Sequence, residues 1–283
     1  MSDTILVTGA SGTIGRELVQ QLEYSGASFV AGSSSGKSVE GVETRRIDLS
    51  DPATLGSGFS GIDTLFLLLP LQTNMLELAR NAVAAAKTAG VKHIVRSSGA
   101  GADPASPVAI ARVAGQVDQL VIASGIANTL LRPTNFMQNY VTYFGDMIRA
   151  GALHLSQGNG KVSFIDARDI AAVAAKVLMQ PGDHVGKIYT LTGAAALSNG
   201  EATARIGAVL GRQLDYVSVP DEAAIASMRA AGMDDWLIDI QMSLNRIIAA
   251  GYAAGISPDV HTLLGRAPLA FERFVQDHQT AWA

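Results

Sequence analysis

Three glycines near the start of the chain have the spacing of a phosphate-binding turn. Gly9, Gly12 and Gly15 follow a short apolar segment, residues 5–7, and open an amphipathic segment that ends near Tyr24. Glycines permit a tight turn and let backbone N–H groups approach a pyrophosphate, while a following helix contributes the positive end of its dipole. A glycine-rich turn without a ligand is the alternative, but the strand–turn–helix setting favours a dinucleotide site. Its predicted members are Gly9, Ser11, Gly12, Thr13, Ile14 and Gly15.

The segment after the predicted second strand indicates which nicotinamide cofactor this turn would hold. In NAD-binding proteins an acidic residue about 20 residues beyond the glycines hydrogen-bonds the ribose 2′-hydroxyl. This chain instead has Ser33, Ser34 and Lys37, and its first carboxylate there is Glu40. Hydroxyl groups and an ammonium suit a 2′-phosphate, and no nearby acid would repel it. We therefore predict NADPH, with NADH as the second choice; the alternative is a solvated loop with Lys37 in water.

Further candidates follow the other predicted strands, because ligands of open α/β sheets lie beyond the carboxyl ends of the strands. Asp48 and Leu49 are placed to meet the adenine edge. The remaining predicted cofactor residues are Leu69, Pro70, Ser98, Arg112 and Pro133. The alternatives are plain core packing for the leucines and turn chemistry for the serines.

Composition and spacing argue against several other functions. Residues 32–36 match the G-x-S-x-G nucleophile motif, but residues 37–42 do not read as the helix that this motif requires. The five histidines have no metal-binding spacing, and the absence of cysteine excludes disulfides, thiolate metal sites and cysteine nucleophiles. With a net charge of −4 and no basic run, the chain has no electrostatic footprint for nucleic acid.

The order of the predicted elements indicates an α/β protein. Strands near 5–7, 28–31, 45–47, 64–69, 93–97 and 127–131 alternate with helices near 14–24, 75–89 and 108–123. Asp51 can cap a helix that begins at Pro52, and Gly90 can end the helix before it. Such alternation predicts a doubly wound parallel sheet of the Rossmann type.

The second half of the chain is less regular. Helices are predicted over 136–149 and 166–179, strands over 187–191 and 215–219, and mainly helix from residue 200 onward. We expect a cofactor domain at 1–132, with 165–192 returning to its sheet. Residues 133–164 and 193–283 would form a smaller, mostly helical substrate lobe, tightly joined to it. The longest apolar run, residues 65–71, is too short to cross a membrane, and no leader is evident, so a cytoplasmic protein is expected.

Four motifs occur in one order: the glycine turn and residues 97–103, 131–139 and 164–171. Together they resemble the atypical short-chain dehydrogenase/reductase superfamily, in particular its NmrA-like branch. That branch includes quinone, azo-dye, triphenylmethane-dye and isoflavone-type reductases. The resemblance covers nearly the whole chain and weakens after Val219. It implies an NADP-binding fold with a substrate cleft between the sheet and a C-terminal helical lobe.

The chain departs from the wider superfamily at the catalytic acid. No tyrosine is followed four residues later by lysine, so the catalytic residues are not identified. Arg112 resembles the lysine position of the ether and isoflavone-type reductases, but arginine stays protonated and is a poor general acid. Arg112 is therefore a weak candidate, for holding ribose hydroxyls or an anionic substrate edge. A solvent-facing helix charge is the alternative.

The missing acid constrains the chemistry. Reduction of a simple carbonyl builds alkoxide charge that requires a placed proton donor, whereas a quinone, azo compound or triarylmethane cation delocalises the incoming charge. We expect direct hydride transfer, without flavin, to such an aromatic small molecule by a monomer or homodimer. Candidate pocket walls are Leu71, Asn135, Phe136, Met137, Tyr140 and Phe164. The alternatives are reduction of a C=C, C=N or benzylic ether bond, and a redox-sensing regulator that binds NADP without turnover.

Overall fold

The computed structural model describes residues 3–39 and 41–282. Within these residues the chain forms the strands β1 (Ile5–Val7), β2 (Phe29–Ser33), β3 (Thr44–Arg46), β4 (Thr64–Leu67), β5 (His93–Ser97), β6 (Ala127–Pro133), β7 (Ala152–Leu155), β8 (Lys161–Val162), β9 (Ile188–Leu191), β10 (Leu197–Ser198) and β11 (Asp215–Ser218).

The same residues form the helices α1 (Thr13–Tyr24), α2 (Leu55–Gly58), α3 (Met75–Ala89), α4 (Ala109–Ala123), α5 (Gly145–Arg149), α6 (Ala167–Met179), α7 (Asn199–Leu210), α8 (Asp221–Ala230), α9 (Asp235–Ala249), α10 (Asp259–Leu264) and α11 (Phe271–Asp277). Short 3-10 helices cover Pro52–Thr54, Met137–Tyr140, Pro181–His184 and Gln279–Trp282. No helix among the described residues is long and apolar enough to span a bilayer.

The chain divides into two compact units. The first consists of the described parts of Met1–Pro107, Ala111–Pro133 and Ile170–Thr190. Its centre is a seven-stranded sheet with the order β3-β2-β1-β4-β5-β6-β9. The strands from β3 to β6 pair in parallel, and the direction of winding reverses between β1 and β4. This confirms the predicted Rossmann-type sheet, whose switch point is where ligands of such folds bind.

The burial of the central strands explains why their sequences lack polar alternation. Every residue of β1, β4 and β5 is buried, as required where helices cover both faces of a parallel sheet. The predicted helix ends are confirmed as well. Asp51 accepts a hydrogen bond from Ala53 N at the start of the 3-10 turn, and Gly90 ends α3 in the left-handed conformation with φ 77°.

The second unit is organised around aromatic side chains. It contains Val108–Ile110, Thr134–Asp169 and the described part of Leu191–Ala283, with two small sheets, β10-β8 and β11-β7. The parallel pairing of β7 with β11 was not predicted, because β7 has no separate signal in the sequence. In its core Tyr140 meets Phe164 and Phe271 edge to face, with ring centroids 5.4 and 5.3 Å apart.

The predicted helix over 136–149 is wrong. A 3-10 turn at Met137–Tyr140 is followed by a break, and α5 begins only at Gly145. The N–H of Met137 bonds to Ile165 O at 2.9 Å, and the hydroxyl of Thr142 bonds back to Gln138 O at 3.1 Å. The long-range bond to Ile165, together with the β-branched pair at 141 and 142, outweighs the apolar periodicity that suggested one helix, whereas the Thr142 bond has the four-residue spacing of a helical turn.

Candidate functional site

The turn between β1 and α1 has the backbone that the three glycines require. Gly9 has φ +65°, and Gly12 N donates to Gly9 O at 3.0 Å. Gly12 is the N-cap of α1 and makes no side-chain cap bond, so the first N–H groups of this twelve-residue helix are left for another acceptor. Ser11, Gly12 and Thr13 are exposed, whereas Ile14 is buried below them. The turn therefore presents backbone donors and a helix dipole at the surface.

Close packing explains the third glycine. A Cβ at Gly15 would lie 2.1 Å from Gly9 O and 2.7 Å from Ala10 Cα, so no other residue fits without moving the backbone. Thr8 fixes the turn from the other side, because its hydroxyl donates to Phe66 O at 2.9 Å and accepts from Leu68 N at 3.0 Å. Thr8 was not predicted as a site residue. In the sequence Thr8 is only a single hydroxyl side chain after the apolar segment 5–7, and its burial is seen only in the structure.

The predicted serine loop lies beside a basic side chain that sequence reasoning missed. Ser33 is the last residue of β2, and its Oγ lies 3.2 Å from Ser35 Oγ. In the parallel register Ser33 pairs with Arg46, the last residue of β3. Arg46 also packs on the turn, since a Cβ at Gly36 would lie 3.3 Å from Arg46 Cβ. The guanidinium is largely exposed and lies 3.8 Å from a carboxylate oxygen of Asp51.

Asp48 and Leu49 lie just beyond β3, where they were predicted to meet the adenine edge. Asp48 Oδ1 accepts from Ser50 N at 3.0 Å and from Ser50 Oγ at 2.6 Å, and these bonds lower the pKa of the Asp48 carboxyl. Leu49 is buried, and its carbonyl accepts from Asn81 Nδ2 at 2.9 Å. This loop is therefore held by its own bonds and keeps a negative charge.

The ends of β4, β5 and β6 are joined by main-chain bonds. Ser98 N donates to Leu131 O at 2.7 Å, and Ala100 N donates to Pro133 O at 2.9 Å. Among the described residues, the buried hydroxyl oxygen of Ser98 has no hydrogen-bond partner. Leu69 is buried and Pro70 is exposed beyond β4. An unsatisfied buried hydroxyl at the carboxyl edge of the sheet is a feature that a bound ligand would explain.

Arg112 is engaged by its own loop. Its Nη1 donates to Ser106 O at 2.9 Å and to Pro107 O at 3.1 Å. The guanidinium thus secures the loop that leads into α4, instead of simply facing solvent.

Two of the quoted motifs lie side by side in the second unit. Ile165 N donates to Asn135 O at 3.0 Å, Met137 N donates to Ile165 O at 2.9 Å, and Phe136 and Ile165 form a parallel bridge. Because of this pairing, the predicted wall residues Asn135, Phe136, Met137 and Phe164 come from adjacent segments. The sequence separation between the motifs had hidden this proximity.

The predicted wall residues differ in exposure. Met137 and Phe164 are buried and border a small cleft of about 50 Å³, which also contacts Phe271. Tyr140 is fully buried, and its hydroxyl donates to Asn199 Oδ1 at 2.7 Å, so its packing argues against contact with a substrate. Leu71, which belongs to the first unit, is 39% exposed.

The fourth motif, residues 164–171, contains the start of α6, which two buried aspartates hold in place. The buried Asp166 carboxylate accepts from Arg168 N at 2.9 Å and from Gln138 Nε2 at 2.8 Å, and its bonds to Arg168 lower its pKa despite burial. Asp169, also buried, pairs with Arg266 at 2.7 Å and accepts from Leu269 N at 2.6 Å. These carboxylates hold the second unit together. In the described part of the chain, no group of three or more potential ligand side chains is arranged to hold a metal ion.

The fold and the turn define the class of the protein. A parallel sheet with a switch point beside β1, a glycine turn that accommodates no Cβ at Gly15, and an uncapped α1 N-terminus fit a dinucleotide. The protein is therefore of the Rossmann-type dinucleotide-binding class.

Comparison with known proteins agrees with this class. The sequence matches the NmrA-like family over residues 1–250, and the chain belongs to that family. An NAD(P)H azoreductase of Xenophilus azovorans is 39% identical over 283 residues, covering 98% of this chain and 99% of that protein. The NADPH-dependent quinone oxidoreductase of Escherichia coli, solved with NADPH, is 27% identical with a TM-score of 0.84 and covers 96% of this chain and 99% of that one. The triphenylmethane reductase of Citrobacter sp. is 26% identical with a TM-score of 0.84, covering 98% and 99%. The predicted family membership is confirmed.

Two glycine substitutions should separate binding from folding. Gly12→Val places a branched side chain on an exposed turn, where its Cβ would meet only Gly9 O at 3.3 Å. We expect a folded variant that loses about 2 kcal/mol or more of NADPH binding free energy, an affinity loss of about 30-fold, since charge-assisted hydrogen bonds to phosphate are blocked. Fluorescence titration with NADPH measures this.

Gly15→Ala should instead destabilise the fold, because its Cβ would overlap backbone, whereas Gly56→Ala meets no atom within 4 Å and serves as the control. Urea unfolding compares these variants. Wild-type NADPH affinity in a folded Gly12→Val variant would contradict the assignment of the turn.

Proposed function

We propose that the chain is an NADPH-dependent reductase of extended, electron-poor aromatic acceptors, namely quinones and azo or triarylmethane dyes, which acts by direct hydride transfer without flavin. The chain is an NAD(P)H-dependent oxidoreductase, as its full-length similarity to an NAD(P)H azoreductase supports. The choice of NADPH, of acceptor class and of a flavin-free mechanism is the proposal.

Two observations carry the proposal: a cofactor turn with uncommitted backbone donors, and the absence of a Tyr-x-x-x-Lys pair from the sequence. The helix that would carry Tyr-x-x-x-Lys has Arg112, whose guanidinium donates to two loop carbonyls. A guanidinium is a hydrogen-bond donor that does not release a proton at neutral pH. The acceptor must therefore tolerate hydride addition without a placed proton, which delocalised acceptors do.

In this account the protein acts mainly by positioning. When bound, the nicotinamide supplies the hydride. The N–H groups of Thr13 and Ile14, at the start of α1, would hold the pyrophosphate, and Thr8 keeps that turn fixed against the end of β4. Asn135, Phe136, Met137 and Phe164, on two paired segments of the second unit, are the residues proposed to contact a flat acceptor. The proton needed after hydride addition comes from water.

An acceptor screen tests the function. Purified protein, freed of small molecules, is assayed for oxidation of NADPH in the presence of quinones, azo dyes, triarylmethane dyes and, as a control class, simple aldehydes. We expect turnover with the delocalised acceptors and little with aldehydes, and no stimulation by added flavin. Tight NADP binding without turnover of any acceptor would favour a redox sensor instead.

Cofactor preference tests the basic edge beside the serine loop. Lys37→Ala and Arg46→Ala each remove a cation from the predicted 2′-phosphate site, while Lys87→Ala removes an exposed cation at the end of α3 as a matched control. We expect kcat/KM for NADPH to fall about tenfold in the first two variants with kcat/KM for NADH unchanged, since a charged hydrogen bond contributes about 1.5 kcal/mol. Equal use of NADPH and NADH by the wild type would refute the 2′-phosphate assignment.

A further inference from the structure

Three charged side chains form a buried cluster near the carboxyl ends of β4, β5 and β6. Arg96 is the penultimate residue of β5, Arg132 is the penultimate residue of β6, and Asp118 lies on α4. Arg96 and Asp118 are each 2% exposed. Arg132 Nε and Nη2 donate to Asp118 Oδ2 at 3.1 and 2.9 Å. Asp118 is thus paired with Arg132 and acts on Arg96 only through its longer-range field, and the three side chains together carry a net charge of +1.

The charge of Arg96 is poorly compensated. Its Nη1 reaches Leu67 O, the last residue of β4, at 3.4 Å. Within residues 3–39 and 41–282, neither Arg96 Nε nor Asp118 Oδ1 has a hydrogen-bond partner. Burial lowers the pKa of Arg96 to about 10, and the negative charge of Asp118 opposes that shift, so the guanidinium stays protonated at neutral pH. A buried ion with so few partners is costly and adds little stability that an apolar side chain of similar size would not provide.

The position of Arg96 suggests what this charge does. The guanidinium of Arg96 reaches the end of β4. Ser98 lies two residues after Arg96, and its buried hydroxyl has no hydrogen-bond partner among the described residues. Leu69 and Pro70, which follow β4, and Ser98 are all proposed to line the cofactor path. Ligands in sheets of this type lie beyond these carboxyl ends, so the positive field of Arg96 acts on whatever lies there.

We infer that Arg96 makes the site discriminate between the two redox states of the cofactor, favouring NADPH over NADP⁺. This inference rests on the proposed function. The two forms share the same phosphates and ribose groups and differ by one positive charge on the nicotinamide ring, so the ratio of their dissociation constants reports the field at that ring. In a protein interior with an effective dielectric constant of about 20, two charges about 10 Å apart change a binding constant by about an order of magnitude.

A consequence for the reaction follows from linkage. Weaker binding of NADP⁺ than of NADPH stabilises the reduced form in the site, so bound NADPH is a somewhat weaker hydride donor than free NADPH, but it favours release of the oxidised form. The chain would thus use a fixed charge to favour replacement of NADP⁺ by NADPH after each hydride transfer and to limit inhibition by NADP⁺.

The test compares NADPH and NADP⁺ binding in charge variants of the cluster. Arg96→Met and Arg96→Gln remove the charge, Arg96→Lys keeps it, and Asp118→Asn removes the compensating carboxylate. Arg80→Met removes an exposed arginine on α3 as the control. NADPH is titrated by its fluorescence and NADP⁺ by displacement of NADPH, with thermal unfolding of each variant as a check of the fold.

We expect the ratio Kd(NADP⁺)/Kd(NADPH) to exceed one in the wild type and to fall at least about threefold in Arg96→Met and Arg96→Gln, mainly through tighter NADP⁺ binding. The ratio should stay near the wild-type value in Arg96→Lys and Arg80→Met and rise in Asp118→Asn. The glutamine variant retains a donor for Leu67 O, so it preserves the test if the methionine variant does not fold.

A purely structural role for Arg96 would weaken both forms equally and leave the ratio unchanged, and that result would overturn the inference while leaving the proposed function intact. Failure of the wild type to bind either form would overturn both.

Discussion

The close contact between the start of α1 and the turn after β1 is the constraint on which the proposed site depends. Only a residue without Cβ fits at Gly15, because Gly9 O occupies the space where a side chain would begin. This contact brings the uncapped helix N-terminus against the end of β1, and the hydroxyl of Thr8 ties the same turn to the end of β4. The backbone donors are therefore in place before any ligand arrives, which reduces the entropy lost on binding.

The first unit has fixed positive charges at two places near the proposed site. Arg46 and Lys37 flank the serine loop at the surface, whereas Arg96 is buried beneath the ends of β4 and β5. In the proposed site the surface cations would act on the 2′-phosphate through solvent, where salt screens them. Arg96 acts through the protein interior, where screening is weak, so a single side chain there can have a larger effect on the ring.

The fold of the first unit was largely predictable, because its signals are local. Apolar strands, the glycine turn, Asp51 and Gly90 each determine a nearby piece of backbone, and together they imply the parallel sheet. The features that were missed depend on partners distant in sequence. Arg46 joins the serine loop only through the register of β2 and β3, and the segment before the break near residue 141 is held by the bond between Met137 N and Ile165 O. The burial of Arg96 could not be predicted, because arginine is rarely buried and an arginine in a predicted strand is expected at an edge or on the surface. The assignment of Asn135, Phe136, Met137 and Phe164 to a substrate wall stays a prediction.

The central claim is that hydride passes directly from nicotinamide to the acceptor without a flavin. It is tested most directly by a single-turnover reaction of a triarylmethane dye with NADPH deuterated at the transferred position of C4, followed by mass spectrometry of the leuco product. Direct transfer predicts deuterium on the central methine carbon, where it does not exchange with water. If the deuterated NADPH is fully oxidised and the methine carbon carries protium from water, the hydride passed through a carrier that exchanges with water, and this result would contradict the account.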